Sequence, residues 1–284
     1  MKAVILILSV LVLVSYSNKK EQPINIFDAI NNNQIKFKAI ANGGHALASI
    51  VVEIEKTGNI NSIIIPSGTR FISEHEGDQD LLNVDEEIIV LKTRNTQHVI
   101  NGYCVQKLHS SPEGDTEFTL AKEQDKNLIK LANYLNKKEI DPHIKQTSLW
   151  CVSNGTGVSG IYDDGNEQVK KLRAYVCDLT DQKDVWYNTN PSYSIDENRN
   201  IISETTKVEG NISYKVTKKG SLAMEVCDES GAVIRSFGGS SPVNHLGDYK
   251  FNFKVTVKGW EAGSYSVRVK IGEDEIHRAY FEVG

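Results

Sequence analysis

The sequence predicts a mainly β protein: a β-sandwich or barrel-like domain with a small helical insertion, followed by a second β-sandwich. Three observations carry this expectation. Short β-branched runs separated by turn residues fill residues 26–105. Apolar residues switch to helical spacing over 118–178. From Ile201 onward clean apolar–polar alternation returns and continues without a helical stretch.

The chain starts with Met1-Lys2, the apolar run Ala3–Val14 and the small residues Ser15 and Ser17 around Tyr16. A run this short does not cross a bilayer comfortably. Residues 1–17 therefore read as a signal peptide cleaved after Ser17, with an uncleaved anchor as the alternative. Export implies a secreted, extracellular or cell-surface protein. It also places Cys104, Cys151, Cys177 and Cys227 in an oxidising compartment.

In the first region "QIKFKAI" alternates, "ASIVVEIE" is a β-branched run, and "NSIIIPSGTRFI" holds two strands around a Pro-Ser-Gly turn. "EEIIVLKT" and "HVINGYCVQ" complete the set. In "AKEQDKNLIKLANYLNKKE", Leu128, Leu131 and Leu135 recur at helical spacing, with Ile129 and Ala132 widening the stripe. "HIKQTSLWCVSN" predicts a shorter helix closed by Gly155, and "NEQVKKLRAYV" a third opened by the Asp163-Asp164 turn or Asn166. The polar stretch after Asp178 suggests a boundary. The expected division is 18–180 as the β-rich module with its helical insertion, 181–204 as a linker, and 205–284 as the second sandwich.

Composition narrows function. A net charge of −5 argues against a nucleic-acid partner. No cysteine pair has the CxxC spacing of a zinc site, and no other metal signature occurs, so no metal and no small-molecule cofactor is expected. The acidic loop "EHEGDQD" lacks the ligand spacing of a calcium loop and reads as surface. Gly155, Gly157 and Gly160 satisfy G-x-G-x-x-G, but "IYDDG" intervenes before any helix, which fits a helix–helix connection rather than a dinucleotide loop. With no nucleophile elbow or phosphate loop, an enzyme is not expected.

One pairing of residues carries chemistry. Gln146 and Trp150 stand four apart and stack on one side of the predicted helix, while Cys104 ends a predicted strand. A thiol facing a glutamine amide in a closed pocket can displace ammonia and leave a thioester, provided water is excluded. Tyr103 and Trp150 are suitable walls. An incoming amine or hydroxyl would then attack the acyl carbon and join the target to the protein through Gln146.

Tyr103-Cys104, the loop "SSPEGDTEF", the Leu-rich helix, "QTSLW" and "SNG" together resemble the thioester domains of bacterial surface adhesins, over about residues 100–160. That resemblance implies Cys104 as the thiol partner, Gln146 as the acyl partner, and capture of a protein or glycan target at a cell surface. Lys145 stands where the family has Thr, Ser148 where it has Ala, and Cys151 directly follows the Trp. The extra thiol supplies a rival: a Cys104–Cys151 disulfide that makes the site a structural staple, in a non-catalytic stalk module. "VCDESGAVIRSF", "GDYKFNF" and "GWEAGSYSVRV" resemble the Ig-like domains of flagellar hook-capping and secreted multidomain bacterial proteins. The second sandwich is accordingly expected to be Ig-like.

Overall fold

Residues 22–43, 47, 49–162, 165–197 and 201–284 are described by the computed structural model. The expected signal peptide and the Asp163-Asp164 turn lie outside the described residues. Among those described, no helix is long and apolar enough to cross a membrane.

The fold is mainly β, with several sheets and few helices. In the first module the strands β1 (Ile24–Asn25), β4 (Ser62–Ile65) and β7 (Glu87–Val90) form a small sheet in the order β1-β4-β7. The second sheet is larger. It comprises β2 (Ile35–Ala41), β3 (Ile50–Lys56), β5 (Thr69–Ser73), β6 (Leu81–Asn83), β8 (Asn95–Ile100), β9 (Gly102–Cys104) and β10 (Glu117–Lys122). Its order is β8-β3-β2-β10-β5-β6-β9, so β9 is an edge strand.

Period-two alternation decides what each face buries. Ile50, Val52 and Ile54 of β3 meet Ile63 and Ile65 of β4 in one apolar cluster, closed by Ile26 and Ala29 of the short helix α1 (Ile26–Asn31). At the other end of the large sheet both faces are covered. Leu81 and Cys104 belong to that first cluster, whereas their neighbours Leu82 and Tyr103 belong to a second. The second cluster is built by α2 (Lys126–Leu135), α3 (Pro142–Asn154) and α4 (Glu167–Thr180). Leu128, Leu131, Ala132 and Leu135 of α2 form its stripe, as the helical spacing requires.

The helix ends follow capping chemistry. Asp125 and Asn166 accept main-chain N–H bonds at the starts of α2 and α4. Asp141 does the same for α3, with Pro142 in the first turn, where its missing N–H costs nothing. Gly155 closes α3 at φ +67°, a left-handed conformation that glycine adopts without a Cβ clash.

The segment 181–204, expected as a linker, instead carries β11 (Tyr187–Ile195) and the start of β12 (Ile201–Val216). These pair antiparallel along their length with a bulge at Asn190/Pro191. With β15 (Gly247–Thr256) they form one sheet of the second module. The opposing sheet runs β14 (Val233–Val243), β13 (Gly220–Cys227), β16 (Gly263–Ile271), β17 (Asp274–Val283). Val208, Ile212, Phe253 and Val255 from the first sheet meet Val226, Val267, Val269 and Phe281 from the second, which makes a sandwich. Polarity masked the β11 strand in the sequence: "NTNPSYS" has little to bury, and its pairing with β12 and its contacts to the first module hold it.

One side chain joins the modules. Arg173 on α4 is 5% exposed and spends all five of its N–H donors. Nε donates to Asp184 Oδ1 at 2.6 Å; the terminal nitrogens donate to the carbonyls of Ile161 (3.4 Å), Val185 (2.8 Å) and Tyr187 (3.1 Å), and to Asn188 Oδ1. Removing the guanidinium leaves buried carbonyls unpaired. Arg173→Leu is therefore expected to destabilise the protein by roughly 3 kcal/mol. Urea unfolding checks this, and a midpoint equal to that of the wild type would rule it out.

Candidate functional site

Strand β9 is held close to its neighbours by its first residue. Ser49 Oγ donates to the Gly102 carbonyl at 3.1 Å and accepts from its N–H at 3.0 Å. A Cβ at Gly102 would lie 2.8 Å from that oxygen and 2.7 Å from Ile50 Cδ1, so a side chain there would force Ser49 and Ile50 to shift. Tyr103 and Cys104 follow, paired with Leu82 and Leu81 of β6.

Helix α3 lies along the outer edge of β9. Gln146 Oε1 accepts the Cys104 N–H at 2.9 Å, and Gln146 Nε2 donates to the Cys104 carbonyl at 2.7 Å. The side-chain amide thus takes the place of a neighbouring strand's peptide. Two turns on, Asn154 repeats the arrangement: its Nδ2 donates to the Val105 carbonyl at 2.9 Å and its Oδ1 accepts from Lys107 N–H at 2.9 Å. Gln146, Trp150 and Asn154 are spaced by four and so share one face of α3. That spacing was available in the sequence, although the role of Asn154 was not read from it.

The pair is dry. Cys104 is fully buried and Gln146 is 5% exposed. Trp150, also buried, shares the apolar cluster of Cys104. Its indole Nε1 has no hydrogen-bond partner among the described residues, leaving a donor stranded beside the site. Lys107 Nζ stands 5.9 Å from the Trp150 ring centroid, and Tyr193 of β11 packs against that ring at 5.9 Å. Tyr193, absent from the sequence-based site, is supplied by the second module. Tyr103, expected as a second wall, is turned to the opposite face of β9, among the helices.

Burial pushes the Cys104 thiol up to about 12 and the Tyr103 hydroxyl to about 12; nearby Asp85 and Asp141 add to the shift of Tyr103. Desolvation lowers the Lys107 ammonium. Lys145, buried beside Gln146, reaches Asp85 Oδ2 at 3.5 Å. Ser148 turns its hydroxyl back to the Ile144 carbonyl at 2.7 Å.

No disulfide joins the four cysteines. The Cys104–Cys151 staple is not formed here: successive helical positions point about 100° apart, so with Gln146 and Trp150 turned to β9, Cys151 faces the helical cluster. Its Sγ lies 3.5 Å from the Gly157 carbonyl and 3.5 Å from Thr156 Oγ1. Cys177 on α4 and Cys227 at the end of β13 belong to different modules and are likewise unpaired with each other. The glycines of "GTGVSG" connect α3 to a short 3-10 turn at Val158–Gly160, and α4 opens only at Glu167, so no helix N-terminus faces that loop. In the acidic loop, Asp80 is spent on Arg70 at 2.7 Å, and no group of metal-ligating side chains is gathered among the described residues.

No family model, curated protein or solved structure matches the chain. The site therefore stands on its own geometry.

Cys151 offers a test of that geometry in solution. Burial raises its thiol to about 11, above the ordinary thiol value of about 8.5. The native state holds this proton more tightly than the unfolded chain. Its contribution is full below about pH 8.5 and is lost as the pH rises toward 11. Melting temperatures are expected to fall over that window, and Cys151→Ala to fall less steeply; parallel declines would show that Cys151 is not buried as described.

Proposed function

We propose that Cys104 and Gln146 condense into an internal thioester, and that the exported protein uses it to attach covalently to a protein or glycan at a cell surface. The observation that carries this reading is the pair of hydrogen bonds holding the Gln146 amide on the main chain of Cys104. The carbon between the two amide heteroatoms is thereby kept over the residue that bears the sulfur.

Each contact suits a step. The Cys104 N–H points at the oxygen on which negative charge develops when sulfur adds to the amide carbon, so the donor is in place beforehand. The S–C bond forms, the C–N bond breaks, and the thiol proton leaves with the amide nitrogen as ammonia. The raised thiol pKa works against attack by a free thiolate, so the proton must leave sulfur as the S–C bond forms. Burial against Trp150 keeps water from the product. An amine or hydroxyl of the target later takes the acyl group, and Cys104 regains its proton. Such a protein acts once and is no enzyme. The second sandwich, with its Ig-like resemblance, serves as a spacer.

A structural reading has one observation of its own. Asn154 makes the same two-bond contact to the main chain with no thiol beside it, so edge capping alone also accounts for Gln146. Intact mass separates the two. The wild-type chain is expected to weigh one ammonia less than its sequence and to gain the full mass of methylamine on incubation, while Gln146→Ala keeps the sequence mass and takes up no amine. A wild-type mass short of hydrogens only, with no amine uptake, would leave edge capping as the role of Gln146.

A further inference from the structure

Beside the candidate site, between the first half of α3 and strand β11, lies an open cleft of about 610 Å³. This is within the range of small-ligand sites. We infer that the cleft binds a neutral saccharide.

The wall chemistry selects the ligand. Among the described residues no Lys or Arg lines the cleft and His143 is its one imidazole, so a phosphate, sulfate or carboxylate group would find little counter-charge. Asp141 is its one carboxylate among the described residues, and it caps α3, accepting the His143 N–H at 2.8 Å. The partial positive charge of the helix start offsets it, which leaves little field for a cationic ligand. What remains is uncharged and polar. The amide of Asn190 and the Nδ2 of Asn166 stand around two tyrosines, Tyr162 and Tyr193. The Thr147 hydroxyl is spent on the His143 carbonyl at 2.8 Å, and Asn166 Oδ1 on the Gln168 N–H at 2.9 Å. Tyrosine rings present flat apolar faces with a polar tip. A pyranose matches that combination, with C–H faces for the rings and a belt of hydroxyls that both donate and accept.

Position adds the second argument. Thr147 is the residue after Gln146, and Tyr193 covers the Trp150 ring at 5.9 Å. A sugar held against Tyr193 would be separated from the Cys104 cluster by the Trp150 ring, next to the candidate site rather than on a remote surface. Both modules build the cleft, so binding requires the junction to be intact.

Cys104→Ala removes any thioester while leaving the cleft, and serves as the test protein. Saturation-transfer NMR and calorimetry with lactose, cellobiose and maltose, beside sialyllactose and lysine methyl ester, provide the readout. Binding of at least one neutral disaccharide at millimolar or tighter Kd is expected, in preference to both charged probes. Tyr193→Ala and Asn190→Ala, added separately in proteins that keep the parental melting transition, should each weaken it about tenfold or more. No binding of any neutral disaccharide, preference for a charged probe, or unchanged binding in both variants would overturn the inference. Wild type lacking one ammonia but binding no sugar would sink this inference and keep the covalent reading; sugar binding by a chain of full mass would do the reverse.

Discussion

The open edge of β9 is the constraint on which the rest of the first module depends. A strand at the end of a sheet exposes a row of main-chain donors and acceptors that must be satisfied if it is to be buried. Here β9 is covered on both faces, by the small sheet's cluster on the Cys104 side and by the helices on the Tyr103 side. Water is excluded, so α3 must supply the missing partners. It does so with two amide side chains rather than with main chain, because its own main chain is already spent within the helix. One consequence is chemical: satisfying the edge at Cys104 places an amide side chain on the main chain of a cysteine in a dry environment.

Keeping that environment closed falls to both modules. Trp150 lies between the Cys104 cluster and Tyr193 of β11, and Arg173 locks β11 in register against α4 through the Val185 and Tyr187 carbonyls. The second sandwich is therefore more than a following domain, since one of its strands walls the site. The same strand forms one wall of the cleft beside α3.

Much of this was legible from local pattern. The strands from "QIKFKAI" to "HVINGYCVQ", the α2 stripe, the Gly155 cap and the Asn166 cap each follow from period, turn chemistry or capping, which act over a few residues. The pairing of Cys104 with Gln146 was reached by chemical complementarity and resemblance, and the structure brings the two together across forty-two positions. Tyr103 and Cys151 were misplaced for one reason: neighbours in sequence point away from each other on a strand, and by about 100° on a helix, so adjacency to a site residue does not make a wall or a bridge.

The sequence by itself determined the fold class, most of the strands and helices and the residue chemistry at positions 104 and 146, because these are written in short-range spacing. Tertiary structure alone decided which edge of which sheet α3 would cover, that 187–195 would be a strand, and that Arg173 and Tyr193 would tie the second module to the first. Those features depend on main-chain groups and exposed polar residues whose partners are distant in the chain. Such groups have no periodic signature, and only packing selects their partners.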